Sequence, residues 1–465
     1  MNASTKPTMQ LAEYACQLTF DDIPEAVITK QILHLLDGIG NALYGVSTEF
    51  GEKVRCIAAN SRAVPDARVW GTSLRTSVEI ASAANASFAN INELEDAHHR
   101  TKFKPNTILV PAVLTVADVA GSSGAEVLTA IVAGTEVGIR VGESIHSASD
   151  AYKRGWLGTG ALGPLATAAS LANLLHLSPM ETAHALALGA NMPTGIWASG
   201  LTPAKRVMIG RAAANGVAAV DMARAGITAG PEVLSPGWGS FGNVLSGITD
   251  TALLTDRLGQ HWKTAEVGLE WYPTKGALHS SIDAILQIYS KHQIDPRDIR
   301  TVQVATARSI VDNPALGEYP PEDIWSAQHS LRYCLAVTLL EKGCSGEQFR
   351  ASLLGSPVVN EMASRIAVVE DRLATELYPK TKTAIVEITL DGGGTFSERV
   401  DYCTGEPENF PTEAQIVDKF DRAAGQLIAD PNRLADIVEK VRALPDAHDV
   451  SDLIRSISPS ATNGV

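Results

Sequence analysis

Residues 158–178 read GTGALGPLATAASLANLLHLS, twenty-one positions without a single Asp, Glu, Lys or Arg. A stretch this rich in Gly, Ala and Leu is apolar around its whole circumference, which marks a helix buried on every side. Its small residues let neighbouring helices approach closely. The same character recurs outward in both directions, at 77–94 (SVEIASAANASFANINEL), 128–145 (LTAIVAGTEVGIRVGESI) and 208–226 (MIGRAAANGVAAVDMARAG). Nearer the start, Val27, Ile28, Ile32, Leu35 and Leu36 recur at helical spacing. SPMETAHALALGA, at 178–190, opens as a helix should, with Ser178 as N-cap, Pro179 in the first turn and Glu181 closing a capping box. Gly226 stands where a helix-ending glycine belongs. From residue 8 to about 265 the pattern predicts a dense bundle of helices.

After about residue 266 the pattern changes. RTVQVATARSIV (300–311), RIAVVEDR (365–372), TAIVEITLDGGG (383–394) and TFSERVDYCTG (395–405) are short, β-branched and alternating, and predict strands. Asp391-Gly392-Gly393-Gly394 is a hairpin turn between two of them. Helical segments at Ser280–His292 and Ser330–Glu341 lie among the strands. The expected fold is mainly α with a smaller α+β domain. The helical domain covers 1–265 and is completed by 406–460, where TEAQIVDKFDRAAGQLI and RLADIVEKVRAL return to amphipathic helix; the α+β lid covers 266–405. No internal repeat stands out.

The 465 residues exceed one ordinary core, in keeping with two domains. Hydrophobic residues are 45% and charged residues 19%, an ordinary globular balance. A formal charge of −14 argues against a nucleic-acid partner but leaves room for an anionic substrate held by a few cations in a cleft. Five scattered cysteines without a CxxC pair point to reduced thiols in a cytoplasm. The first residues lack the pattern of a signal peptide. The apolar stretches are broken up by polar residues, Pro and Gly, so no membrane span is expected.

There is no P-loop, HExxH or GxSxG elbow in the sequence. His98 and His99 lie beside Glu93, Glu95 and Asp96, but adjacent helical residues point roughly 100° apart, so no metal site is expected from them. Four polar clusters interrupt the apolar background. NINELEDAHHRTKFKPNTILVPAV (90–113) carries carboxylates, both histidines, Arg100, Lys102 and Lys104 between two apolar runs. LEWYPTKGALHSSIDAI (269–285) gathers Glu270, Tyr272, Lys275 and His279. Lys205 and Arg206 break a small-residue helix, and Tyr333 opens the apolar helix HSLRYCLAV. A polar cluster between buried elements usually lines something. The presence of such clusters in both domains predicts a cleft between them. Tyr152 and Arg154 read as surface residues.

At these same clusters the chain resembles the MmgE/PrpD family, which includes 2-methylcitrate dehydratase and cis-aconitate decarboxylase. The carriers are GTGALGPLATAASLANLLHLS, AKRVMIGRAAANGVAAVDMARAGITAGPEVL, WYPTKGALHSSIDA and HSLRYCLAV. The resemblance implies a homodimer and chemistry without a metal or organic cofactor. It also marks departures. Glu93 stands where an aspartate is usual, Ala97 replaces a threonine, Lys104 replaces the histidine before proline, and Leu157 replaces a second histidine. Glu270 takes the place of a lysine, and Lys275 follows it. Lys205 and Tyr333 match the family.

With two histidines replaced, the sequence predicts proton removal and return beside a carboxylate, an isomerase rather than a lyase. Lys104, Lys205, Tyr333 and His99 are the expected proton-moving groups. Arg206, Lys275 and His279 are expected to stabilise charge on the substrate, with Glu93 and Tyr272 completing the binding set. Within the family this altered site most resembles that of an epimerase of iminodisuccinate, an aminopolycarboxylate. Two alternatives stand beside it: a dehydratase or decarboxylase of a citrate- or aconitate-like acid with Lys104 in the histidine's role, and a polycarboxylate-binding protein without catalysis.

Overall fold

The small residues do what the sequence asks of them. In the computed structural model, which describes residues 6–145, 154–317 and 319–458, the first part of the chain is a succession of helices. The longer ones are α1 (Pro7–Gln17), α2 (Glu25–Val46), α3 (Glu49–Ala59), α4 (Val78–Ala89), α5 (Pro105–Ala120), α6 (Gly124–Ser144), α7 (Gly158–Leu174), α8 (Pro179–Ala190) and α9 (Ala204–Arg224). Every residue of α7 from Thr159 to Leu174 is buried. It packs against both α6 and α9. Two glycines show how close the approach is. A Cβ on Gly134 of α6 would lie 1.9 Å from Ser170 Oγ and 2.6 Å from the Ala166 carbonyl, and one on Gly216 of α9 would lie 2.3 Å from Thr167 Cβ. Ser178 caps α8 through the capping box with Glu181, and Gly226, at φ +85°, follows the end of α9.

The C-terminal helices Glu413–Ala424 and Pro431–Arg442 return to this part, the first of them lying along α2. Buried Lys419 meets buried Asp37 there at 2.6 Å. By its contacts the chain divides into two units. The first is Met1–Ile91, Glu95–Val267 and Thr412–Val465; the second is Asn92–Leu94 and Gly268–Pro411.

The second unit holds a four-stranded sheet of β1 (Ile299–Thr306), β2 (Ile366–Glu370), β3 (Ala384–Leu390) and β4 (Thr395–Val400), in the order β2-β1-β3-β4. β1 runs parallel to β2 and antiparallel to β3, and β3 and β4 are antiparallel. Ala384, Val386 and Ile388 alternate into the core, where α10 (His279–Lys291) packs on β3 and β4. The helix α11 (Leu331–Glu341) starts immediately after Ser330, and Leu390 and Gly394 close the hairpin turn with a 2.8 Å hydrogen bond. The chain is thus mainly α with a smaller α+β region. One expectation is corrected locally. The stretch 300–311 is not one strand, because β1 stops at Thr306 and Arg308–Val311 winds into a short helix whose first turn is closed onto the Ala307 carbonyl. Among the described residues, no helix is long and apolar enough to cross a membrane.

Candidate active site

The charged segment 93–104 is not a solvated loop. Glu93, Glu95, Asp96, His98 and Lys104 are all buried. The chain turns back on itself here, with His98 N–H donating to the Phe103 carbonyl at 2.8 Å. In the first unit this turn sets Lys104 beside Glu95, and Lys104 Nζ donates to Glu95 Oε2 at 2.6 Å. Asn90 Nδ2 donates to the other oxygen at 2.8 Å, so the carboxylate is held from both sides. Lys104 is also the N-cap residue of α5.

Asp96 fixes that helix start. Its carboxylate accepts from Asn106 N at 2.8 Å, Asn106 Nδ2 at 3.0 Å, Thr107 N at 3.1 Å and Thr107 Oγ1 at 3.1 Å. Two of these donors are backbone N–H groups that a helix leaves unpaired at its first turn, at its positive end. Burial pushes the Asp96 carboxyl up to about 6, against the pull of those four donors. A close-packed polar pocket lies behind, lined among others by His34, Asp37, Glu95, Asp96 and Asn106. Gln31 Nε2 donates to Asn106 Oδ1 there at 2.6 Å.

A second cluster in the same unit surrounds Glu266. Its carboxylate meets His98 Nε2 at 3.3 Å, His261 Nε2 at 2.5 Å, Lys263 Nζ at 3.1 Å and Arg100 at 2.8 Å. Burial raises its pKa, but hydrogen bonds from His98 and His261 and the charge of Lys263 outweigh it and hold the group well below the carboxylate range. His98, Glu143 and Glu266 present ligand atoms within 4.8 Å of one another. Those carboxylates hold two side-chain cations, Lys263, whose Nζ is also 3.0 Å from Glu143 Oε2, and Arg100, whose guanidinium pairs with both Glu143 and Glu266.

In the second unit, Tyr272 and His279 come together. Their rings meet edge to face with centroids 5.3 Å apart, and His279 Nε2 lies 3.3 Å from the Thr274 carbonyl. Tyr272, expected among the substrate-binding groups, donates its hydroxyl to Asp283 Oδ1. Burial, then the neighbouring Asp283 charge, pushes its phenol far up, so it stays a donor. The Lys275 backbone N–H donates to the Gln328 carbonyl at 3.0 Å. Tyr333 is buried and donates to the Gln348 carbonyl at 2.9 Å. Burial is the main reason its phenol is raised as well.

The remaining expected residues are spread over both units. Lys205 and Arg206 are buried in the first turn of α9, where Arg206 Nη1 donates back to the Thr202 carbonyl at 3.3 Å. His99 is half-buried in the turn after His98. Glu93 belongs to the second unit, fully buried at φ +53°. Arg154 is exposed, and Tyr152 lies outside the described residues. Sequence reasoning assigned no role to Glu95, Asn90, Asp96 or Asp283. The clue available for Glu95 and Asp96 was their place between two apolar runs, which makes burial of a carboxylate more telling than its charge.

A two-unit chain with lysine and histidine drawn out of solvent in each unit, and arginine in the first, fits an enzyme that handles acidic small molecules. The chain belongs to the MmgE/PrpD family: residues 9–253 match the MmgE/PrpD N-terminal domain and residues 272–443 the C-terminal domain. It is 27% identical to a cis-aconitate decarboxylase of Aspergillus terreus, over 98% of this chain and 97% of that one. It is 24% identical to the cis-aconitate decarboxylases of Mus musculus, over 95% and 92%, and Homo sapiens, over 94% and 92%. These relatives correct the expectation of an isomerase. They carry the name of a decarboxylase, which is a lyase, and they align along nearly the whole length. Replacement of two histidines does not by itself call for another class, because proton delivery needs a positioned acid and lysine is one of the side chains able to act as one. Nothing among the relatives supports iminodisuccinate as the substrate.

Proposed function

We propose that this protein is a decarboxylase of an unsaturated tricarboxylic acid of the cis-aconitate type. The observation that carries the proposal is the full-length match, through both family domains, to proteins named for that reaction. Loss of carbon dioxide breaks a carbon–carboxylate bond and leaves its electron pair on a carbon next to a double bond. That pair is delocalised, and one proton must be delivered to complete the product. A six-carbon tricarboxylic acid thus becomes a five-carbon dicarboxylic acid and carbon dioxide.

Lys104 is our proton donor. Its ammonium is held 2.6 Å from Glu95, a place that keeps it charged and fixed in direction. Lys205, Arg206, Lys275 and His279 hold the substrate carboxylates and the charge that builds as the bond breaks. His99 and Tyr333 stand behind these as supporting groups, and Glu93 and Tyr272 shape the binding surface. A homodimer without a cofactor is part of the same proposal.

The test is to incubate the purified protein with cis-aconitate and, separately, with citrate-like hydroxy acids, following products by proton NMR. Loss of one carbon from cis-aconitate alone supports the reading. Loss of water from a hydroxy acid, with cis-aconitate untouched, makes the protein a dehydratase instead.

A further inference from the structure

The turn that leads into Lys104 is seated on two helices of the first unit. A Cβ on Gly138 of α6 would lie 2.6 Å from the Phe103 ring, and one on Gly142 would lie 2.7 Å from Thr101 Cγ2. One on Gly158, at the start of α7, would lie 2.6 Å from the Lys102 carbonyl oxygen. Contacts this close bar movement toward the helices and leave movement away from them to be resisted by something else. Glu266 supplies the hold. Its Oε2 accepts from His98 Nε2 at 3.3 Å and from Arg100 Nη2 at 2.8 Å, both on the turn. Its Oε1 accepts from His261 Nε2 at 2.5 Å and from Lys263 Nζ at 3.1 Å, both on its own segment. That segment is itself tied to α6. Thr264 N and Oγ1 donate to buried Glu136 Oε1 at 2.8 Å and 2.9 Å, and Arg140 Nη2 donates to the His261 carbonyl at 2.7 Å. Glu266 thus bridges a fixed segment and the turn.

The bridge dictates a tautomer. Burial works against the charge of Glu266, but its donors outweigh it and keep the carboxylate ionised. Burial also lowers the pKa of His98, so near neutral pH this imidazole carries one hydrogen. A carboxylate only accepts, so the hydrogen is on Nε2. Nδ1 then accepts from the hydroxyl of Thr101, 2.8 Å away and fully buried.

We propose that Glu266 is a positioning residue: by accepting hydrogen bonds from His98 and Arg100 it holds the 98–103 turn in place, and so sets where Lys104 and the first turn of α5 stand. The inference rests on the decarboxylase reading, with Lys104 as proton donor, for its catalytic consequence. The hold on the turn does not depend on what the substrate is. A proton donor misplaced by about 1 Å loses up to about 100-fold in rate.

The test uses the full-length protein labelled with nitrogen-15 at histidine, with His98→Gln identifying the His98 signals. Long-range proton–nitrogen correlation near neutral pH should show a protonated Nε2 and an unprotonated Nδ1. Amide hydrogen exchange then reads the turn itself. The His98 N–H donates to the Phe103 carbonyl and the Lys104 N–H to Thr159 Oγ1. Glu266→Gln keeps the size of the side chain and should quicken exchange of these two amides about tenfold, while Leu114 to Ala117, further along α5, exchange as in the parent. On cis-aconitate it should lower kcat about tenfold with KM within about twofold. Arg100 is exposed, so Arg100→Met leaves the fold intact and should move exchange and kcat in the same directions. Arg100→Lys, which keeps a donor for Glu266, should recover most of the loss. A parent spectrum with the proton on His98 Nδ1 overturns the proposal, as does unchanged exchange at His98 and Lys104 in both Glu266→Gln and Arg100→Met. Exchange quickened equally along all of α5 also overturns it, because that is general destabilisation. Quickened exchange at the turn with an unchanged kcat overturns the catalytic role. If the parent protein does not turn over cis-aconitate, the decarboxylase reading fails, and the nitrogen shifts and exchange still decide the hold on the turn.

Discussion

Replacing Lys104 with methionine removes the ammonium from a carboxylate that has almost no access to water. Glu95 is 2% exposed, and Lys104 lies 2.6 Å from it. At that distance, with an effective dielectric of about 20, the attraction is about 6 kcal/mol. Desolvation of both ions takes back much of it, and breaking such a pair from one side costs about 3–5 kcal/mol. Lys104→Met should therefore destabilise the protein by about 3–5 kcal/mol, and Glu95→Gln by a similar amount, because each removes one side of a buried pair. The double variant Lys104→Met/Glu95→Gln removes both ions of this pair and keeps an oxygen for Asn90. It should lie within about 1–2 kcal/mol of the parent. Urea unfolding of the four proteins, read as a double-mutant cycle, gives the coupling directly. Additive effects, or either single variant losing less than about 1 kcal/mol, would refute the reasoning.

Asp96→Ala removes the acceptor of two backbone and two side-chain donors at the start of α5, and should cost about 2–3 kcal/mol in the same urea measurement. Gly134→Ala puts a methyl within 1.9 Å of Ser170 Oγ, so α6 and α7 must separate; a loss of about 1–3 kcal/mol, seen as a lower thermal midpoint, is expected. Burial depresses the His34 pKa well below its ordinary value, so the unfolded chain takes up a proton that the native state refuses. Its stabilisation is complete above about pH 6.5 and is lost on acidification at about 1.4 kcal/mol per pH unit until the folded pKa is reached. His34→Gln should flatten the fall in urea midpoint between pH 6.5 and 5.5 relative to the parent at about this slope. Asp96, raised to about 6, acts with the opposite sign in both proteins and cancels in the comparison.

The helical bundle was legible because its signal is local. Gly134, Gly216 and the uncharged run 158–178 declare close packing without reference to a partner. The sheet was legible for the same reason, as alternation in Ala384, Val386 and Ile388. What the sequence concealed is built by long reach. Glu95 meets Lys104 only because the His98–Phe103 pairing reverses the chain, and Asp96 caps a helix that begins beyond that reversal. Asp283 is bonded to Thr404, 121 positions away. Arg308–Val311 continued a strand pattern yet turned helical, a stretch too short for either period to declare itself. The reaction class was misread for a chemical reason. Lys104 and Leu157 in place of histidines suggested different chemistry, although a positioned lysine ammonium is also a proton donor.

The most direct measurement supplies cis-aconitate labelled with carbon-13 at its carboxylates, in deuterium oxide. A decarboxylase releases one labelled carbon dioxide per molecule consumed and places one deuterium on a carbon of the five-carbon product. Deuterium exchange into the recovered substrate, or its conversion to the trans isomer, with no labelled carbon dioxide released, would contradict the account.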